Sequence, residues 1–332
     1  MAHPADMVEI WRGRMVESRH RGHAVICDSR GGIVASWGDP DALILPRSSC
    51  KMIQALPLVE SGAADAAGLT TEHLALACAS HQGAPVHVGK LARWLESMGL
   101  SEADLRCGSQ PSRDRAERNR MICAKEAPNQ LYNNCSGKHA GFLTLGRHLG
   151  AGPDYVEIDH PVQVAVRAAF EEVTGMASPA HVVDGCSAPN FATGLRGLAR
   201  AMAVFATARS DAADARARAA WRLTQAMLAH PDLVAGDGRA CTELMRATEG
   251  KAAVKTGAEG VFAAILPEKG LGVALKIEDG ATRASEAAIT GLLVHMGALD
   301  PAHPAARRRL GGPITNWRGI ATGAVRLAAG FA

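Results

Sequence analysis

Apolar and polar positions along this chain fall into two regimes: strand-like runs near the two ends and helical periodicity between them. His23-Ala24-Val25-Ile26-Cys27 and Ile33-Val34-Ala35-Ser36-Trp37 flank Asp28-Ser29-Arg30-Gly31-Gly32, which predicts a hairpin with a short glycine-containing turn. Near the other end, Val261-Phe262-Ala263-Ala264-Ile265-Leu266 and Leu271-Gly272-Val273-Ala274-Leu275 flank Pro267-Glu268-Lys269-Gly270 and predict a second hairpin, followed by a helix over about 282–296. Helical spacing covers 51–61, 71–79, 86–98, 137–149, 162–174 and 212–229. Ser101-Glu102-Ala103-Asp104 has the spacing of a capping box and opens a further short helix.

Strands at both ends with helices between them imply an α/β architecture. An antiparallel sheet is built from the two ends of the chain, and a helical region is inserted between them and lies against it. A doubly wound parallel sheet would need regular strand–helix alternation, which the pattern lacks. The expected organisation is one domain over 1–332, with the sheet part at about 7–50 and 250–330 and the mainly helical part at about 51–249. No repeat or low-complexity block interrupts this, although alanine is dense between 199 and 220.

Composition narrows the function classes. With 332 residues the chain can bury a sizeable core, and 47% hydrophobic residues is ordinary for a globular protein. A net charge of +3 points to neither a nucleic-acid nor an anionic-membrane partner. The basic residues of 113–120 and 307–309 read as solvated faces. The start, Met1-Ala2-His3-Pro4-Ala5-Asp6, has no basic-then-apolar leader, and no window approaches the roughly 18 apolar residues of a membrane span. A cytoplasmic location follows as the expectation, and the 8 cysteines are then thiols or ligands rather than disulfides.

The chemistry starts with Ser48-Ser49-Cys50-Lys51, answered far downstream by Lys255-Thr256-Gly257. Both are elements of serine β-lactamase and penicillin-binding-protein active sites. On a helix, Lys51 would share a face with Ser48, where a neutral amine could take its proton, while Ser49 is out of phase. Pro46 before the tetrad and Met52-Ile53-Gln54-Ala55-Leu56 after it read as the start of a buried helix, whose terminus adds partial positive charge. Ser80 stands where the apolar run Leu74-Ala75-Leu76-Ala77-Cys78-Ala79 meets a polar cluster, with His81 as a loop residue beside it. Asn133-Asn134-Cys135-Ser136-Gly137-Lys138-His139 gathers polar and ligand-forming groups before an apolar helix, whose N-terminus suits a carboxylate. Asp184-Gly185-Cys186 follows the extended pair Val182-Val183. Two cysteines alone are too few to assign zinc.

Taken together, Pro46 to Lys51, Ala79-Ser80-His81-Gln82-Gly83, Asn134-Cys135-Ser136-Gly137-Lys138-His139, Asp184-Gly185-Cys186 and Lys255-Thr256-Gly257-Ala258-Glu259-Gly260 resemble the rhizobial-type (class 3) L-asparaginases. The resemblance runs from Val8 to about His295, and the Asn-Cys-Ser-Gly-Lys-His segment is its most diagnostic part. It implies a fold like that of serine β-lactamases and glutaminases, a homodimer and L-asparagine as substrate. It also implies two Ser-Lys couples, Ser48 with Lys51 and Ser80 with Lys255, and a zinc ion held by Cys135, Lys138 and Cys186. Lys251 is the rival for the role of Lys255. A lysine ligand must lose its proton to coordinate, so occupancy would fall as pH drops.

On this reading Lys51 is the base, made neutral by burial and by Lys255 as a neighbouring cation, and Ser80 relays a proton to departing ammonia. The backbone N–H of Ser48 and one from the strand near Gly257 would hold the oxyanion. Arg47, His139 or the zinc ion would face the substrate α-carboxylate, and Asp184 or Glu259 its α-ammonium. Another serine hydrolase, such as a glutaminase, a β-lactamase or a cell-wall peptidase, and a non-catalytic zinc or amino-acid binding protein are the competing readings.

Overall fold

The computed structural model describes residues 3–332; Met1 and Ala2, part of the N-terminal stretch read above, lie outside them. In chain order its strands are β1 (Ala5–Arg12), β2 (Met15–Cys27), β3 (Ile33–Trp37), β4 (Leu43–Ile44), β5 (His181–Val183), β6 (Pro189–Phe191), β7 (Thr193–Gly194), β8 (Ala253–Thr256), β9 (Val261–Leu266), β10 (Leu271–Ile277), β11 (Pro313–Thr315) and β12 (Ala321–Leu327). The main sheet is antiparallel, in the order β11-β12-β1-β2-β10-β9-β8, with β3 also paired to β2. The two ends of the chain therefore interleave, since β1 pairs with β12 and β2 with β10.

Both predicted hairpins are present. β2 and β3 pair from Ala24↔Trp37 to Cys27↔Ile33, and β9 and β10 from Lys276↔Val261 to Leu271↔Leu266. Asp28 Oδ1 accepts from the N–H groups of Arg30 and Gly32, both at 2.8 Å, which closes the first turn.

All six residues of β9 are buried, the pattern of a strand covered on both faces. Helix Leu195–Thr207 packs on β2, β9 and β10, and helix Thr282–His295 packs on β1, β9, β10 and β12. Each large apolar side chain buried in this way contributes roughly 1.5–3 kcal/mol. Gly272 permits the closest helix–sheet approach, because a Cβ there would stand 2.1 Å from the Ala199 carbonyl oxygen.

Most predicted helices form within a few residues of their expected limits, including Pro85–Ser97, Ser136–His148 and Pro161–Thr174. The expected helix over 51–61 divides into Lys51–Gln54 and Leu56–Glu60, because Pro57 has no N–H to carry the hydrogen-bond ladder through. Helix Leu195–Thr207 escaped the periodicity reading. Arg196 and Arg200 lie on its outer face one turn apart, opposite the buried Leu195, Leu198, Ala199, Met202 and Phe205, a period that the dense alanine of the segment obscured. Among the described residues, no helix is long and apolar enough to cross a membrane.

The site lies where sheet and helical region meet. The turn carrying Ser48 packs against β8 and β9. The glycine of Lys-Thr-Gly is what allows this, since a Cβ on Gly257 would lie 2.6 Å from the Pro46 carbonyl oxygen and 3.2 Å from Ser49 Cβ.

Candidate active site

Arg47–Cys50 forms a 3₁₀ turn after Pro46. Ser49 Oγ donates to the Pro46 carbonyl at 2.7 Å, and Cys50 Sγ faces the Arg47 carbonyl at 3.1 Å. Ser49 and Cys50 thus turn inward, whereas Ser48 is half-buried and lines a cavity of about 230 Å³. Arg47 reaches this turn with φ 52°, a left-handed conformation that a non-glycine residue adopts only when its surroundings hold it there. The restraints are visible: Arg47 N donates to Asn190 Oδ1 at 3.3 Å, and Arg47 Nε donates to Asp184 Oδ1 at 2.8 Å.

Lys51 opens the next helical turn and is buried. Its Nζ donates to the carbonyls of Ala79 (2.5 Å) and Asn134 (3.4 Å) and lies 3.0 Å from Ser80 Oγ. The backbone between the two turns, at Cys50, has φ −103° and ψ 14°, so Ser48 and Lys51 do not share a regular α-helical face. The hydrogen bonds of Lys51 Nζ thus go to Ser80 and to two carbonyls, and none goes to Ser48.

Lys255, on β8, reaches Ser80 from the other side. Its Nζ is 2.7 Å from Ser80 Oγ and donates to the Thr256 carbonyl at 2.9 Å. Burial first, and the charge of Lys51 second, pull the Lys255 amine down to about 7. The division of roles expected from sequence, with Lys51 neutral and Lys255 charged, is thus reversed at Lys255. Lys251 is exposed, away from this cluster. The neighbouring thiols of Cys50 and Cys78 are pushed up to about 12, chiefly by burial, and stay neutral.

A second cluster adjoins the first. Cys135 precedes helix Ser136–His148, held by its N–H to Asn133 Oδ1 at 2.9 Å. Cys186 is brought inward by the turn joining β5 to β6, where Asp184 N bonds the Ala188 carbonyl at 2.9 Å. Lys138 Nζ is 3.0 Å from Cys186 Sγ. Cys135 Sγ donates to Asn134 Oδ1 at 2.8 Å, and the neighbouring Cys186, then burial, raises the Cys135 thiol to about 12. Cys135 in turn, together with Lys138, holds Cys186 well below the usual thiol range against the effect of burial. Burial opposes the charge on Lys138, but Cys186 and Cys135 outweigh it and keep the amine above its ordinary range.

Two sulfurs and one nitrogen, all buried and converging, are chemistry that fits zinc. Among the described residues no group of three or more His, Cys, Asp or Glu side chains forms a metal cage, so coordination here would depend on the lysine. Gly137 sets the position of the cluster, because a Cβ there would stand 2.1 Å from the Leu76 carbonyl oxygen in the segment leading to Ser80.

The four substrate-binding candidates separate. Arg47 and Asp184 line the cavity as an ion pair. Burial raises the Asp184 carboxyl, but the charges of Lys138 and Arg47 prevail and hold it below the usual range. His139 is fully buried and does not line the cavity, with Nδ1 2.9 Å from the Tyr155 hydroxyl and Nε2 unpartnered, and burial keeps it neutral. Glu259 is exposed with φ 57° and is not a cavity residue. Gln110, Arg113, Asn133 and Asn134 also line the cavity. The two asparagines belong to a segment singled out from sequence. Gln110 comes from an irregular loop without any pattern to mark it; Arg113, expected on a solvated basic face, is exposed as expected but also lines the cavity.

Comparison with curated protein sequences gives no match. Among solved structures, the chain is similar to a β-lactamase from Mycobacterium bovis at 14% identity, covering 84% of this chain and 95% of that one, with a TM-score of 0.45. It is also similar to Mglu in its native form (13% identity, 86% of this chain, 66% of that one, TM-score 0.47). A third likeness is to the octameric penicillin-binding protein homologue from Pyrococcus abyssi (10% identity, 90% and 80%, TM-score 0.35). The L-asparaginase II profile matches residues 8–327, and on that match over nearly its whole length the chain belongs to the L-asparaginase II family.

Proposed function

We propose that this protein hydrolyses L-asparagine to L-aspartate and ammonia through a serine acyl-enzyme. The observation that carries the reading is the Ser80 hydroxyl held between two lysine amines, one of them drawn to about 7, with Lys51 also bonded to the carbonyl of Asn134, which with Ser48 lines a small cavity. At about 230 Å³ that cavity is below the size that accepts drug-like ligands and suits a single amino acid.

Ser48 is the proposed nucleophile, since it reaches the cavity. Neutral Lys255 accepts a proton through Ser80 from Lys51, and Lys51, held on Ser80 at rest, then turns its neutral amine to Ser48 and accepts the hydroxyl proton as the Ser48 oxygen bonds the carboxamide carbon. Return of a proton to the departing nitrogen releases ammonia, and water hydrolyses the aspartyl ester. Gly257 N–H is already taken by the Val261 carbonyl at 2.8 Å, so the oxyanion donors assigned here are the N–H groups of Ser48 and of the next residue, Ala258, which lines the cavity.

Cys135, Lys138 and Cys186 are the residues that would hold a zinc ion, which when bound supplies positive charge at the side of the cavity. Homodimeric assembly and a cytoplasmic location complete the reading; a solution mass of twice the 34.7 kDa chain tests the first.

The experiment is ammonia release from asparagine, glutamine and a chromogenic β-lactam, with mass spectrometry of enzyme quenched during asparagine turnover. An aspartyl adduct on Ser48 is expected. Preference for glutamine or the lactam, or tight asparagine binding without hydrolysis, overturns the proposal.

A further inference from the structure

Arg113 stands apart from the other charged groups around the cavity. Arg47 is tied to Asp184, and Lys138 to Cys186. Arg113 lines the same cavity as Ser48, no hydrogen bond or ion pair engages its guanidinium among the described residues, and the neighbouring charge that acts on it is that of a second cation, Arg239. Unbalanced positive charge beside a reacting cavity is a place for an anion.

The backbone of Arg113 is fixed relative to Ser80, while its side chain is free. Arg113 N donates to the Gln82 carbonyl at 2.8 Å, and Asp114 N to the same oxygen at 3.1 Å. Ser112 Oγ is 3.2 Å and 3.0 Å from the carbonyls of Gln82 and Gly83. Gln82 Nε2 donates to Asp114 Oδ2 at 3.1 Å, and Asp114 Oδ1 caps helix Arg115–Ala124 through Glu117 N at 2.8 Å. The loop is thus anchored two residues from Ser80, and the guanidinium projects from it without a protein partner.

We propose that Arg113 recognises the α-carboxylate of the substrate and so makes the site selective for free amino-acid amides over simple amides. This rests on the amidohydrolase reading above. In asparagine two carbons separate the carboxylate from the carboxamide, so an enzyme that attacks the amide from Ser48 must hold the carboxylate within the same small cavity. Arg47 has committed its Nε to Asp184, whereas Arg113 keeps its planar donor fork available for a bidentate contact.

The test compares Arg113→Met, Arg113→Lys and the exposed control Arg115→Met in the zinc-loaded full-length protein. The ligands are L-asparagine and L-asparaginamide, in which a neutral carboxamide replaces the carboxylate, followed as substrate or competitor. In Arg113→Met the apparent affinity for asparagine is expected to fall about 30-fold and that for asparaginamide less than about 3-fold, with Arg113→Lys intermediate. Equal shifts for both ligands, no shift, or the same shift in Arg115→Met overturns the proposal. Calorimetric titration with L-aspartate, which carries the same carboxylate, keeps the two readings apart. A wild type without turnover whose aspartate affinity still falls in Arg113→Met loses the reaction and keeps the recognition.

Discussion

Lys51 and Lys255 approach a single hydroxyl from two sides, 3.0 Å and 2.7 Å from Ser80 Oγ. A hydroxyl placed in this way can pass a proton from one amine to the other. The Lys51 amine has two carbonyl acceptors besides Ser80, at Ala79 and Asn134, where Lys255 has one, at Thr256.

Activity should rise with pH through about 7. Below that value Lys255 is protonated, Ser80 has no acceptor, and the relay stops. A profile of kcat/KM against pH is the check, and an acid limb at about 5 or lower would sink this assignment. Stability follows the same group with a definite sign. The folded Lys255 releases its proton near 7 and the unfolded one near 10.5, so between these values the unfolded state binds more protons and stability rises with pH. Below about 7 this contribution is constant and least favourable; urea midpoints across the range measure it.

Lys255→Met should abolish ammonia release and stabilise the fold by ~1–2 kcal/mol at neutral pH, because it removes a buried amine beside a like charge. Urea unfolding and a turnover assay on the same preparation test both halves. Loss of stability together with activity would mean that the amine holds the fold together.

Ser48→Ala and Ser80→Ala should each lower kcat by at least about a thousandfold, since they remove the nucleophile and the relay respectively. Mass spectrometry distinguishes them, because only Ser80→Ala retains the hydroxyl that is acylated. An adduct on Ser80 in the wild type would reverse the two roles.

Gly137→Ala should cost ~3 kcal/mol or more, because the added methyl meets the Leu76 carbonyl at 2.1 Å with backbone on both sides. Gly257→Ala meets the Pro46 carbonyl at 2.6 Å and should push the Ser48 turn away from β8, lowering kcat more than it lowers the unfolding midpoint. Measurement of both quantities for both variants separates a packing glycine from one that sets the site.

Removing zinc should raise KM more than it lowers kcat, because Cys135, Lys138 and Cys186 belong to a cluster distinct from the Lys51–Ser80–Lys255 relay. Metal content, KM and kcat before and after chelation decide it. An unchanged KM with lost turnover contradicts the expectation.

Hairpins were legible in the sequence wherever β-branched runs flank a turn whose closure is local, as at Asp28 to Gly32. β1 was not predicted as a strand. A bulge between Asp6 and Val8 interrupts its pairing with β2, and Met7 and Val8 are both buried, which breaks simple alternation. Among candidate site residues, Ser80, Lys255, Cys135 and Cys186 were named because the segments that carry them resemble those of the class 3 asparaginases. Arg113 was read only as part of a solvated basic face, since its place at the cavity depends on hydrogen bonds from a loop to Gln82 that no periodicity encodes. Spacing also suggested that Lys51 would serve Ser48 directly. The break in helical geometry at Cys50, with the carbonyls at Ala79 and Asn134, places the resting hydrogen bonds of its amine on Ser80 and those carbonyls.

The order of the sheet has a consequence during synthesis. β8 joins it only by way of β9 and β10, and β10 docks on a strand far upstream in the chain. Ser48, Lys51 and Ser80 are therefore synthesised long before Lys255. On the proposed mechanism reactivity waits for late strand closure, and a chain that stops short of β8 is chemically quiet.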